Sequence, residues 1–473
     1  MWLGSIGEHL MQPWIKSSQR VYCLGIGGVG VGALAEYLHH QGCQVTGSDT
    51  QPSAMTMRLQ HLGIPIFNEH QVEHLRDIDL VVYSSAIHPE HPVLQEAQAL
   101  KIPLMQRGKL LANILQGYQS IVVAGTHGKT TTVSLLAYLM KAQGVSLNHF
   151  IGGTINGETS PIAITDSQYM LAEADESDGS FLFIHPNIAV ITNIDADHLA
   201  SYRDSFSVLK DSFRQFIAQV HTDGLVVLCI DHPVVRELLP LVDRPVVTYG
   251  FSDDADYQAD HYQQKELNST FTLTTPSLTE EVQFNLPGQH NVLNLLASIA
   301  VADYLQEQKP LNLQAMDSFP GVGRRLQLHA SCTYSEKAVH IFEDYGHHPE
   351  EIAVTINTLR QAWPDRRLIM AFQPHRYSRT QELFAEFSRV LSQVDALLLL
   401  DVFSAGEELI LGASSDDLAG DIQAKYQVEP TRVSDGDKLQ AVLREKLLPG
   451  DVVLFQGAGS IGRMAKDFSL RFV

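Results

Sequence analysis

Residues 120–133 read Ser-Ile-Val-Val-Ala-Gly-Thr-His-Gly-Lys-Thr-Thr-Thr-Val. Ile121–Ala124 is a short apolar run closed by glycine, which predicts a buried strand, and the apolar pattern from Val133 to Gln143 predicts a helix. Between them lies Gly125-Thr126-His127-Gly128-Lys129-Thr130-Thr131. A glycine-rich turn from strand into helix aims backbone N–H groups at one point, where phosphates can be cradled. Lys129 would neutralise phosphate charge there, and Thr130 would offer a hydroxyl to Mg²⁺. The spacing departs from the usual form, because Val123 stands where the first glycine would be. A strand–loop–helix unit of this kind belongs to a parallel sheet covered by helices, which binds its ligands beyond the carboxyl ends of the strands.

Towards the N-terminus the same alternation recurs. Val21–Gly25 reads as a strand, 30–39 as a helix, Gln44–Gly47 as a second strand ending at Asp49, and Leu80–Tyr83 as another. The first turn is Gly25-Ile-Gly27-Gly28-Val29-Gly30, with Asp49 placed 24 residues after Gly25. That fits the dinucleotide fingerprint, in which glycines let the backbone approach a pyrophosphate at a helix N-terminus and an acid meets a ribose. The motif does not separate NAD from another diphosphate. A glycine turn that only packs helix on strand remains the plain alternative.

Towards the C-terminus two strand-like runs end in acid. Tyr169–Ala172 leads into Glu173-Ala-Asp175-Glu176-Ser-Asp178, and Ile188–Thr192 into Asn193-Ile-Asp195-Ala-Asp197-His198. Either cluster alone reads as a solvated loop. Two of them beside a phosphate loop favour a metal site of hard oxygen ligands. Asn291 and Asn294 share a helix face, where Asn291 caps the helix or the two amides read a purine. A Pro/Gly-rich stretch at 319–323 marks a linker before Arg324 and Arg325, which are a surface pair or a charge for a transferring phosphate. Strands at 340–342, 368–371, 397–400 and 452–455 predict a further doubly wound sheet. Two of them lead into Asp344-Tyr345-Gly-His347-His348-Pro and Gln373-Pro-His375-Arg376-Tyr-Ser-Arg379, and Arg376 with Arg379 makes a fork suited to a small carboxylate.

The chain has 473 residues, enough for about three domains, and 44% are hydrophobic. A net charge of −21 argues against nucleic acid and requires the few cations to be concentrated where phosphate is held. No apolar run approaches the roughly 20 residues of a membrane span. Glu8, with no basic stretch before an apolar run, argues against a secretion signal. Cys23, Cys43, Cys229 and Cys332 lack metal or redox spacing and read as reduced thiols of a cytoplasmic protein.

Taken together, GIGGVG, SSAI (84–87), GTHGKTT, EADESDGSF, NIDADH, GQHNVLN, GVGRR, DYGHHP and QPHRYSRT resemble the Mur ligases along essentially the whole chain, and the last two runs resemble the branch that adds L-alanine. The resemblance implies an α/β protein of three domains: a Rossmann-like UDP-sugar-binding domain (1–117), a central P-loop ATP-binding domain (118–323) and a C-terminal Rossmann-like amino-acid-binding domain (324–473). It implies ATP- and Mg²⁺-dependent ligation of L-alanine to the carboxylate of UDP-N-acetylmuramate through an acyl phosphate, in peptidoglycan synthesis. It allows a homodimer and calls for no membrane insertion.

By the same resemblance Gly27, Gly28, Val29, Gly30, Asp49, Ser84 and Ser85 hold the UDP-sugar. Gly125 to Thr131, Asn291, Asn294, Arg325 and Asp344 hold ATP, with Lys129 and Arg325 on its phosphates, the asparagines on adenine and Asp344 on the ribose. Thr130, Glu173 and His198 serve Mg²⁺, Tyr345, His347, Arg376 and Arg379 line the alanine end, and the attacking amine gives its proton to a base near His198 or His347. Domain closure would shield the acyl phosphate from water. Val31, Gly108, Ala200 and Glu343 depart from family habit without removing a named ligand. Lys210 falls where several relatives carry a CO₂-modified lysine, a modification not expected in the alanine-adding branch. An NAD-dependent oxidoreductase would leave GTHGKTT and the acidic strand ends unexplained. A non-catalytic regulator would be expected to have lost Lys129 or a metal ligand, and QPHRYSRT argues against a ligase that adds ready-made peptide.

Overall fold

The computed structural model describes residues 16–306, 309–335 and 337–472. Glu8, used above against a secretion signal, lies outside them. Three sheets carry the fold. The first joins β1 (Arg20–Leu24), β2 (Gln44–Ser48), β3 (Ile66–Phe67), β4 (Leu80–Tyr83) and β5 (Leu104–Gln106) in the order β3-β2-β1-β4-β5. All its pairings are parallel, and successive strands are added outward from β1 to β3 on one side and then from β4 to β5 on the other, so the order of winding switches between β1 and β4. The turn after β1 therefore sits at the switch point, where such sheets leave a crevice.

The second sheet comprises β6 (Gln119–Ala124), β7 (Asn148–Phe150), β8 (Ile162–Ala163), β9 (Tyr169–Glu173), β10 (Ile188–Ile191), β11 (Leu225–Cys229), β12 (Val246–Gly250), β13 (Tyr257–Lys265), β14 (Asn268–Thr274) and β15 (Thr279–Phe284). Its order is β15-β14-β13-β12-β11-β10-β6-β9-β7-β8. β6 is parallel to both β9 and β10, so the two acidic strand ends flank the loop after β6. Every residue of β10 and β11 is buried, as expected of a parallel sheet covered on both faces.

The third sheet holds β16 (Gln327–Tyr334), β17 (Lys337–Asp344), β18 (Leu368–Phe372), β19 (Ala396–Leu400), β20 (Thr431–Val433) and β21 (Val452–Gln456) in the order β16-β17-β21-β18-β19-β20. It is parallel except for the edge pairing of β16 with β17. The chain forms two compact units, one running to His261 and adding Thr272–Val282 and His290–Met316, the other made of Tyr262–Phe271, Gln283–Gln289 and the chain from Asp317 onward.

All ten strands named from the sequence are present, with ends shifted by no more than two residues except at β17, which starts three residues earlier. The helix after β6 is longer than expected: it begins at Lys129, not Val133. The apolar pattern starts late because Lys129 to Thr132 are polar. Their hydroxyls still suit a first turn, since Thr132 Oγ1 donates to Gly128 O (3.0 Å) and Ser134 Oγ to Thr130 O (2.7 Å). β13 to β15 and the antiparallel edge strand β16 were not foreseen. The cysteines form no disulfide among the described residues. Among those residues no helix is long and apolar enough to cross a membrane.

Candidate active site

In the first unit the loop after β6 is shaped by two glycines and braced by the neighbouring strand ends. Gly125 has φ 135° and Gly128 φ 84°, values an L side chain rarely adopts. A Cβ on Gly125 would overlap Thr192 Oγ1, and one on Gly128 would lie 2.5 Å from Asn294 Oδ1. Asn193, one residue beyond Thr192, fixes the turn from both sides. Its Oδ1 accepts from His127 N (2.7 Å) and its Nδ2 donates to His127 O (3.0 Å). Asp195 N donates to Thr126 Oγ1 (2.9 Å), and the Asp195 carboxylate lies 3.0 Å from His232 Nε2 and 3.5 Å from His127 Nε2.

Lys129 is enclosed here. Its Nζ donates to Glu176 Oε2 (2.7 Å) and Oε1 (2.9 Å), to Gly125 O (2.5 Å) and to Thr126 O (3.1 Å). Burial pushes the Glu176 carboxyl up to about 7 against the pull of Lys129. Burial acts against the Lys129 ammonium, but the charges of Glu176 and Asp175 outweigh it and keep its pKa above the ordinary value. Two oxygen ligands of the expected metal set meet: Thr130 Oγ1 donates to Glu173 Oε2 at 3.0 Å, while Glu173 Oε1 accepts from Gly152 N. Hard oxygen donors so placed fit Mg²⁺. His198, with φ 54°, has its Nε2 3.5 Å from the Asp197 carboxylate. Ala200 lies exposed on the short helical turn Leu199–Tyr202. Lys210 is part-exposed, 3.5 Å from Glu237.

Asn291 and Asn294 are buried on the helix Gln289–Leu305, which begins two residues before Asn291, so Asn291 is not its cap. Asn294 Nδ2 donates to Asn291 Oδ1 (3.4 Å), and Asn294 Oδ1 accepts from Thr132 Oγ1 (3.2 Å). That oxygen therefore also ties this helix to the first turn of the helix that follows the glycine-rich loop.

The loop after β1 has its own brace. Asp49 Oδ2 accepts from Gly27 N at 2.9 Å, so part of that carboxylate fixes the turn itself. Ser84 Oγ accepts from Ala86 N at 3.2 Å. Arg107 was not singled out in the sequence. It ion-pairs with Asp175 and lies 3.6 Å from Asp178, and a Cβ on Gly30 would come within 3.2 Å of its Nη1. It thus links the glycine loop of the first sheet to the acidic end of β9. Burial raises the Asp175 carboxyl, but Arg107 and Lys129 outweigh it and hold the group down to about 2. The one available signal was a lone arginine directly after β5, at the carboxyl end of a parallel strand. Gly108 beside it is required by packing, since a Cβ there would overlap Ser180.

In the second unit the two adjacent arginines divide. Arg324, with φ 62°, donates to Glu343 Oε1 (2.7 Å) and to Gly457 O (3.0 Å), a structural role. Glu343 also meets His329 Nε2 at 2.8 Å, so the larger acid at this position is ion-paired rather than misplaced. The Arg325 guanidinium lies 5.1 Å from the Tyr345 ring centre and 3.9 Å from Glu351. Asp344 is buried and accepts from Leu326 N, Gly346 N and Gln456 Nε2, each at 2.8 Å. His347 packs edge-on against Tyr345 with ring centres 5.4 Å apart and lies 5.9 Å from His375. Arg376 (φ 72°) stands at the N-terminus of the helix Tyr377–Glu382, one turn before Arg379.

Models of the Mur ligase family match three stretches: the family's catalytic domain at residues 20–119, the Mur ligase middle domain at 123–302, and the Mur ligase glutamate ligase domain at 324–459. The UDP-N-acetylmuramate–L-alanine ligase of Coxiella burnetii (strain Dugway 5J108-111) is 45% identical over 454 residues, covering 96% of this chain and 98% of the relative. The crystal structure of the UDP-N-acetylmuramate-alanine ligase of Thermotoga maritima superposes with a TM-score of 0.81 at 26% identity, covering 96% of this chain and 99% of that one. A murein peptide ligase from Psychrobacter arcticus shares the fold, with a TM-score of 0.70 at 22% identity and coverage of 96% and 99%.

Proposed function

The chain belongs to the Mur ligase family, and from that premise we propose that it joins L-alanine to the carboxylate of UDP-N-acetylmuramate at the expense of ATP, in peptidoglycan synthesis. The observation that carries this reading is the 45% identity, sustained over 96% of the chain, to an enzyme named for that reaction. The site geometry agrees with it: a braced phosphate loop stands between two acidic strand ends. On this reading the domains run 1–117, 118–323 and 324–473.

A carboxylate does not acylate an amine at neutral pH, so it must first be activated. A carboxylate oxygen of the sugar attacks the γ-phosphorus of ATP and ADP leaves, giving an acyl phosphate. The amine of L-alanine then attacks the acyl carbon, phosphate leaves with the bridging oxygen, and the amine loses a proton. Lys129, which meets Glu176 in the structure, would turn to the transferring phosphate, where a fixed cation stabilises developing charge. Mg²⁺, held by Thr130 and Glu173 with His198 assigned by resemblance, would supply further positive charge at the phosphates. Asn193 and Asp195 keep the loop's amides aimed. Arg376 and Arg379 would take the alanine carboxylate, and Arg325 an ATP phosphate.

Phosphate release from ATP is the test. It should require UDP-N-acetylmuramate, L-alanine and Mg²⁺ together, and fall to background when any one is left out. Turnover with NAD and no ATP, or full phosphate release without L-alanine, would overturn the proposal.

A further inference from the structure

The adjacent strands β18 and β19 end side by side, and the segments leaving them remain joined. Phe403 N donates to Pro374 O and Arg376 N to Phe403 O, both at 2.8 Å. Between these two bonds the rings of His375 and Phe403 stack, with centres 5.4 Å apart and planes 12° from parallel. Phe403 also comes close to the turn Gly457-Ala458-Gly459 that follows β21. A Cβ on Gly459 would lie 2.9 Å from Phe403 Cγ, so the ring stands over a bare glycine. Held in this way, Phe403 is still 39% exposed, so part of the residue is left for something other than the protein core. His375 is followed directly by Arg376, and the Phe403 carbonyl fixes the Arg376 amide.

We propose that Phe403 is a specificity-determining residue that limits the size of the amino acid's side chain, admitting a methyl group and opposing longer ones. The inference rests on the alanine-end reading of Arg376 and Arg379. An amino acid whose carboxylate is held by that fork carries its Cα substituent only one bond further on. Phe403 is tied to the Arg376 amide through its own carbonyl, and the backbone hydrogen bonds made by its N and O hold its main chain in place beside the fork. Interior packing is dense enough that a single methylene is felt. Side-chain selection here would therefore come from a wall that excludes, not from a hydrogen bond that attracts.

The test uses the full chain with saturating UDP-N-acetylmuramate, ATP and Mg²⁺, and compares kcat/KM for L-alanine, L-2-aminobutyrate and L-valine in wild type, Phe403→Ala and Phe403→Leu. One methylene in an apolar pocket is worth roughly 10- to 200-fold in discrimination. The ratio of L-2-aminobutyrate to L-alanine should rise at least about tenfold in Phe403→Ala and less in Phe403→Leu, with L-valine following the same order. A ratio within twofold of wild type in a variant that still turns over L-alanine overturns the inference, as does an equal loss for all three amino acids in a folded variant. If Phe403→Ala does not fold, Phe403→Leu decides by the same criteria. Failure of the wild type itself to use L-alanine would overturn the ligase reading and this inference with it, an outcome distinct from any change in the ratio.

Discussion

Lys129 carries two duties that pull apart on mutation. On the proposed function it is the cation of the phosphate loop, and in the structure it is the partner of a buried carboxylate, both of whose oxygens it reaches. Removing one partner of a buried pair leaves the other uncompensated, at roughly 3–5 kcal/mol. Protonation of Glu176, whose carboxyl burial already pushes up to about 7, relieves part of that. Lys129→Ala should therefore abolish phosphate release and also lower the melting temperature, and a loss of activity in that variant alone would be ambiguous. The double variant Lys129→Met/Glu176→Gln separates the duties, because it leaves no buried charge unpaired. It should melt close to wild type while ligation stays at background. Near-normal turnover in the folded double variant would place the phosphate chemistry elsewhere. Lys129 itself was readable as a loop lysine, since its meaning is set by neighbours two to five residues away. Its partner was not, because Glu176 is 47 residues distant and looks like any member of an acidic run. Arg107 escaped for the same reason, its carboxylate lying 68 residues on.

At the level of elements, β7 holds an unusual group. His149 lies in a fully buried three-residue strand between β8 and β9, and among the described residues its Nε2 has no hydrogen-bond partner. Burial drives its pKa down to about 4 from an ordinary 6.5. A folded value below the unfolded one means the unfolded chain binds the proton first. Its contribution to stability is therefore complete above pH 6.5 and is lost as pH falls towards 4, by at most about 3 kcal/mol at 1.36 kcal/mol per unit. Thermal melts from pH 7.5 to 4.5 should show wild type losing more stability than His149→Phe, whose ring cannot ionise. Parallel pH profiles for the two proteins would show that His149 does not titrate there. The strands around the phosphate loop were legible because β6 and β10 are continuous apolar runs, the pattern of strands buried on both faces. β13 to β15 were passed over because their exposed positions are polar or charged. Yet β14 reads Asn-Ser-Thr-Phe-Thr-Leu-Thr with alternate residues buried, a period-two signal that was available.

For the whole molecule, the central claim of the proposed function is that glycine-rich or cationic strand ends, drawn from three sheets, serve one reaction. On that proposal the loop after β1 would take the sugar diphosphate, the loop after β6 the ATP, and the segments after β17, β18 and β19 the amino acid. With a net charge of −21, the cations gathered at these ends contrast with the rest of the chain. If the carboxylate is activated by phosphorylation, one of its oxygens must leave with the phosphate. The direct measurement is ligation of L-alanine to UDP-N-acetylmuramate whose lactyl carboxylate carries ¹⁸O in both positions, followed by mass spectrometry of the released phosphate. The account predicts one ¹⁸O in each phosphate and one retained in the new amide. Phosphate released without label, its oxygen drawn from water, would contradict it.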